Sequence, residues 1–126
     1  MSVTLSAQIF TVLTGIVIIF QACLAVGMPW GAASMGGKYP GKYPPKMRIV
    51  ALVNIVVLMF LAIIVLSKAG LLFPQLLPFS KIAIWFVVVF LLLGSVMNSI
   101  TPSKIERIWA PVAFIQFITS LIVALH

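Results

Sequence analysis

Four stretches of this chain, 6–27, 48–66, 80–98 and 108–125, each run for about twenty residues with almost no charge. A helix of that length spans about 30 Å, the thickness of a bilayer's hydrocarbon core. The runs are continuous rather than apolar at every second position, so they suit helices and not barrel strands. Composition points the same way. The chain is 63% hydrophobic and 7% charged, whereas a soluble domain carries about 25% charged residues. Too little polar surface exists to clothe a water-soluble globule, and lipid must solvate most of it. The expected fold is all-α, a polytopic four-transmembrane-helix bundle forming a single membrane domain over residues 1–126. Loops 28–47, 67–79 and 99–107 join the spans. No Lys or Arg precedes the first run, which is also too long for a signal-peptide core, so it is expected to be a retained span.

The net charge of +7 does not form a stripe that nucleic acid would follow. The basic residues fall between the apolar runs, where they meet anionic headgroups and set topology. Lys38, Lys42, Lys46, Arg48, Lys104 and Arg107 flank loops one and three, while Lys68 and Lys81 flank loop two. The positive-inside rule therefore predicts loops one and three in the cytoplasm and both termini outside. The six residues on the first side are candidate contacts for anionic lipid. Trp30, Trp85, Trp109, Tyr39 and Tyr43 fall near predicted span ends and are expected to anchor at the interface.

The polar residues inside the spans define expected inward faces. On helix one, Thr4, Gln8, Thr11, Gly15 and Ala22 share a stripe, extended by Thr14, Gln21 and Ala25. Ile9, Leu13, Ile16, Phe20 and Leu24 are expected toward lipid. Ala51, Asn54 and Ala62 mark helix two, Gly94, Ser95 and Asn98 helix three, and Ala113, Gln116, Thr119, Ser120 and Ala124 helix four. Each helix thus brings at least one carboxamide, and Gln21, Asn54, Asn98 and Gln116 all fall in the half near loops one and three. Two readings follow. Interhelical amide hydrogen bonds can fix packing where hydrophobicity cannot. Alternatively, the four amides line a polar vestibule for a small molecule or a lipid headgroup.

Ser103 and Glu106 have the spacing of a capping box, which would start helix four at Ser103 and leave Pro111 to bend it. Glu106 is the single carboxylate of the chain. Its alternatives are helix capping, or coupling to Lys104, Arg107 or loop one. One carboxylate, the terminal His126 and the span residue Cys23 do not assemble a carboxylate pair, a triad or a hydrolytic metal site. A single cysteine allows no intrachain disulfide and argues against a thiol redox pair. Gly36, Gly37 and Gly41 lack the context of a phosphate-binding loop. No catalytic residue, metal or cofactor is expected. The expected function is that of a non-enzymatic structural or accessory membrane module. The alternative is a small transporter or channel for a neutral or anionic solute. Membrane lipids, a second copy of the chain or another membrane protein are the partners this allows.

Several four-helix families lack their marks here. Gln21 stands in helix one where small multidrug transporters carry a glutamate. Gly31-Ala32 falls in a loop without the arginine that follows this pair in fluoride channels. Thiol-oxidising four-helix proteins need more cysteines. The segments Gly27-Met-Pro29-Trp30-Gly31, Gly36-Gly37-Lys38, Pro45-Lys46-Met47-Arg48-Ile49, and Asn98 with Ser103-Lys-Ile-Glu106-Arg107 are similar to the pattern of an uncharacterised family of small four-helix bacterial integral membrane proteins. The resemblance spans most of the chain, departs at the longer Lys-Tyr-Pro loop, implies the bacterial cytoplasmic membrane and brings no activity with it. In a Cys23→Ser background, Lys42→Cys is expected to react with an impermeant maleimide in inside-out vesicles and not in intact cells. Reaction in intact cells would reverse the assigned orientation.

Overall fold

The computed structural model describes residues 1–126 and is all-helical. Its long helices are α1 (Val3–Ala25), α2 (Pro45–Lys68), α3 (Leu77–Ile100) and α4 (Trp109–Leu125), with 3-10 turns in the connections. All four spans are long and apolar enough to cross a membrane. α2 and α3 overrun their expected bounds at both ends and α1 starts three residues early, because hydropathy falls at the headgroups while a helix can continue through them; α1 ends two residues short of 27. Pro45 supplies such a start, its fixed φ suiting the first helical turn after the extended Pro44. Ser2 caps α1 by accepting from the Leu5 amide at 3.0 Å.

The helices run up and down in a ring, α4 closing against α1. α1 with α2, and α3 with α4, form the two most extensive pairs. Ala7, Phe10, Leu61, Ile64, Ala83, Ile84, Val87 and Val123 build the main core in the half near loop two. A smaller cluster of Leu24, Tyr43, Met47 and Ala51 ties α1 to α2 beside loop one. Ser6, Ala7, Thr14, Ala51, Ala83, Ala113 and Ser120 are buried, as expected where helices associate by close backbone approach rather than by escaping water. Val12, Ile19, Val56, Phe86 and Met97 are exposed in the protein and face the place of lipid. Lys68 does not stand free at loop two. Its ammonium donates to the Val123 carbonyl at 3.2 Å, joining the end of α2 to the C-terminal turn of α4.

Helix one departs from its expected face. Thr4 and Gln8 are exposed; Thr14 is buried as expected, but Ser6, Ala7, Phe10 and Leu24 are buried beside it. Leu24, expected toward lipid, lies in the cluster with Tyr43 and Met47. The reason is local satisfaction of hydroxyls. Thr11 donates to the Ala7 carbonyl at 2.8 Å within its own helix, so it needs no neighbour and does not report the inward side. Faces of α2 and α4 follow expectation more closely, with Ala51, Ala113, Gln116, Thr119 and Ser120 all buried.

The turn of loop one depends on a close backbone approach. The Gly31 amide donates to the Gly41 carbonyl at 2.9 Å, and a Cβ at Gly31 would sit 1.8 Å from the Tyr39 carbonyl oxygen. Gly41 has φ +80° but open space around it. Gly41→Ala is therefore expected to cost about 1–2 kcal/mol from backbone conformation alone. Gly31→Ala must displace backbone and should cost more than about 3 kcal/mol. Thermal unfolding of both variants in detergent micelles tests this order.

Candidate functional site

Loop one does not trail into solvent. Its two 3-10 turns, Gly31–Ala33 and Met35–Gly37, fold over the end of the bundle and present backbone groups to the connection before α4. The Ser103 hydroxyl donates to the Ala32 carbonyl. The Trp109 indole donates to the Ala33 carbonyl at 3.0 Å, and the Gly36 amide donates to Glu106 Oε2 at 2.8 Å. Gly36 and Gly37 both have positive φ, +66° and +74°, which glycine adopts without steric cost. A Cβ at Gly37 would come within 3.0 Å of Ser103 Cβ, so the two strands of the clasp touch.

This arrangement revises the capping-box expectation. Ser103 Oγ does accept from the Glu106 amide, at 3.4 Å, but the Ser103 amide turns to Thr101 Oγ1 at 3.3 Å. The Glu106 carboxylate reaches loop one instead. The chain from Glu106 to Ile108 is a 3-10 turn, and α4 proper begins at Trp109. Pro111 consequently falls in the first turn, where its missing N–H breaks no helical bond, and it does not act as a bend.

Tyr43 and Trp109, expected at the interface, are turned inward. Tyr43 is 2% exposed and its hydroxyl hydrogen-bonds that of Ser34. Burial pushes the Tyr43 phenol above its ordinary value of 10.0, against the lowering effect of the Ser34 bond, with the Glu106 charge and Tyr39 adding to the rise. The Trp109 ring packs on Phe20 with centroids 4.7 Å apart. Trp109 was legible in one respect: Glu106, Trp109, Ala113 and Gln116 follow i, i+3, i+7, i+10 spacing and so lie on one helical stripe.

Beneath the clasp is a cavity of about 210 Å³. Gln21, Asn98 and Gln116 line it from α1, α3 and α4, with Ser34, Met35, Glu106 and Trp109 above. Asn54 is not among the lining residues; its amide points to Gln21 Oε1 at 3.5 Å, the limit of a hydrogen bond. The three lining amides differ in engagement. Gln116 is 4% exposed and donates to Thr14 Oγ1 at 2.9 Å, an α4–α1 link. Gln21 accepts from Asn54. Asn98 is half-buried, and its carboxamide takes no part in the hydrogen bonds that join the helices.

Comparison with protein families, curated proteins and solved structures gives no match. The site therefore stands on its own geometry.

A second depression of about 720 Å³ lies outside the cavity, between loop one and the facing ends of α2 and α3. It shares Met35, Gly94, Asn98 and Glu106 with the cavity, and Lys38 lies along it. Lys42, Lys46, Lys104 and Arg107 are exposed at this same end. Both arginine side chains have structural partners. Arg48 Nε donates to the Tyr43 carbonyl at 2.9 Å, its guanidinium lying over Gly27, and Arg107 Nε donates to the Thr101 carbonyl at 3.0 Å. Gly94 was recognised only as a small residue of helix three. A Cβ there would meet nothing within 4 Å, so its absence leaves room in the cavity rather than permitting close helix contact.

The carboxylate-to-amide bond of the clasp is the charge-assisted one. Glu106→Gln, which keeps an acceptor but loses the charge, is expected to lower stability by about 1–2 kcal/mol, and Glu106→Ala by about 2–3 kcal/mol. Equilibrium unfolding in micelles measures both. Equal stability of all three proteins would show that the Glu106–Gly36 bond carries no load.

Proposed function

We propose that the protein is a non-enzymatic accessory module of the bacterial cytoplasmic membrane. Its cavity receives the polar end of a small amphipathic molecule in the cytoplasmic leaflet, and the bundle does not conduct solute. The observation that carries this reading is that the cavity is polar at the loop end and closes against apolar packing. Below Gln116 and Thr14 lie Phe10, Ile84 and Val87, all at most 1% exposed, with Leu61 beside them. A solute that entered from loop one would meet that core, where the buried hydroxyls of Ser6, Ser67, Thr119 and Ser120 are already spent on nearby backbone carbonyls and only Ser80 Oγ lacks a partner.

The available groups suit binding rather than covalent chemistry. A free carboxamide at Asn98, the Gln21 amide and a basic rim can hold a polar group by hydrogen bonds and charge. Glu106 is already engaged by the Gly36 amide. The assignment to a bacterial membrane rests on the sequence pattern that resembles a small four-helix bacterial family. The distribution of basic residues supports the cytoplasmic placement of loops one and three.

Trp109 lies in the cavity wall and reports on occupancy. In a Trp30→Phe, Trp85→Phe protein, a single-chain amphipath carrying a nitroxide beside its headgroup is expected to quench Trp109 fluorescence saturably. Gly94→Leu should abolish the saturable part by filling the space. Proteoliposomes should release glycerol, chloride and phosphate no faster than empty vesicles. Flux above that background, lost in Gln116→Ala, would overturn the binding-module reading in favour of transport.

A further inference from the structure

The cavity is one part of a longer track along the α2–α3 seam. This seam is packed in the half near loop two, where Leu61 and Ile64 join Ala83, Ile84 and Val87 in the core. Toward loop one it is less closed. Leu58 and Phe90 face the cavity from α2 and α3, and the outer depression separates Met47 from Gly94 and Asn98. Phe90 also lines a groove of about 290 Å³ on the outer surface of the seam at the loop-two side, whose floor is the packed Leu61, Ile64, Ala83 and Val87 and whose walls include Phe60, Ile82 and Phe86. Three depressions thus share lining residues in order: the outer one with Lys38, the cavity with Asn98, and the apolar groove.

The polarity of this track changes along the membrane normal as that of a lipid does. Lys38 and Asn98 stand at its headgroup end, and aromatic and aliphatic carbons line its far end. Six basic side chains flank this end of the bundle, against the single carboxylate of Glu106. Glu106 lines the track too and would repel an anion, but its Oε2 is tied to the Gly36 amide and the surrounding charge is cationic. An anionic headgroup is favoured by this field over a zwitterionic one. Gly94 fits the same account. Leucine there would raise helix propensity by about 0.8–1 kcal/mol and would meet no neighbour at Cβ, so packing does not ask for glycine. The space it leaves lies where a chain must pass from the outer depression to the cavity.

We propose that the α2–α3 seam is a lateral binding site for one anionic phospholipid of the surrounding leaflet. Its phosphate lies against Lys38 and Asn98, and one acyl chain passes Gly94 and Phe90 toward the apolar groove. The proposal rests on the cavity being a binding site, as argued under Proposed function, and adds the ligand class, the headgroup contacts and the route of access. Lateral access suits an amphipath because the chain never leaves hydrocarbon, and only the headgroup exchanges its surroundings.

The test uses the full chain in nanodiscs of phosphatidylglycerol and phosphatidylcholine in equal amounts, released into a native mass spectrometer. One phosphatidylglycerol is expected to be retained in preference to phosphatidylcholine. Lys38→Gln should reduce that preference by about tenfold, the scale of one charge-assisted contact, and Asn98→Leu, which removes an amide from the phosphate that both lipids carry, should reduce retention of both. Gly94→Leu should remove retention of both lipids while its melting temperature stays at or above that of the parent, which separates exclusion from misfolding. Equal retention of the two lipids, or retention unchanged by Gly94→Leu, overturns the proposal. So does a lipid-free dimer, which would mean that a second copy covers the seam. Saturable quenching of Trp109 without selective retention would sink the phospholipid assignment and leave the cavity reading standing. Loss of both signals would sink the two together.

Discussion

The clasp between loop one and the start of α4 organises the end of the bundle that carries the cavity. In hydrocarbon, apolar side chains gain nothing by turning from lipid to a neighbouring helix, so hydrophobicity alone does not fix how far apart two helix pairs stand. Backbone groups are less permissive, because an unpaired amide or carbonyl away from water is costly. Loop one brings the Ala32 and Ala33 carbonyls and the Gly36 amide against the bundle. Ser103, Trp109 and Glu106 satisfy them. These contacts hold loop one, which follows α1, to the start of α4, and they leave a space beneath the span of the loop.

That space explains why the carboxamides have different roles. Gln116 sits deep enough to reach Thr14 and joins two helices, as a packing amide does. Gln21 and Asn54 approach each other at the edge of hydrogen-bond range and leave capacity unused. Asn98 faces both the cavity and the outer depression. Packing glue and binding site are thus not exclusive descriptions of the set. They apply to different members, according to whether another helix comes within reach.

The spans and the grouping of amides near loops one and three were legible because both depend on position along the chain. Rise per residue converts sequence number into depth, and a twenty-residue apolar run leaves little freedom in where its ends lie. Rotation about the helix axis was less legible. On α4, Ala113, Gln116 and Ser120 identified the inward side, since amide and small residues coincide there. On α1, hydroxyls marked a face that turned out to be partly exposed, because Thr11 closes its hydrogen bond on its own backbone. The destination of the Glu106 carboxylate was left open between a local cap, its basic neighbours and loop one. Its spacing from Ser103 satisfies a local motif, but the bond goes to an amide seventy positions earlier in the chain.

Sequence by itself determined an all-helical chain, the number of its membrane-length spans and that loops one and three share one end of the bundle. These follow from length, hydropathy and residue inventory, which do not depend on how helices meet. Tertiary structure decided that loop one is a roof, that Tyr43 and Trp109 point inward, and that the α2–α3 seam is packed at one end and open at the other. Those features arise from contacts between distant segments, where several arrangements would satisfy the same lipid solvent. Backbone hydrogen bonding and the fit of small residues select among them.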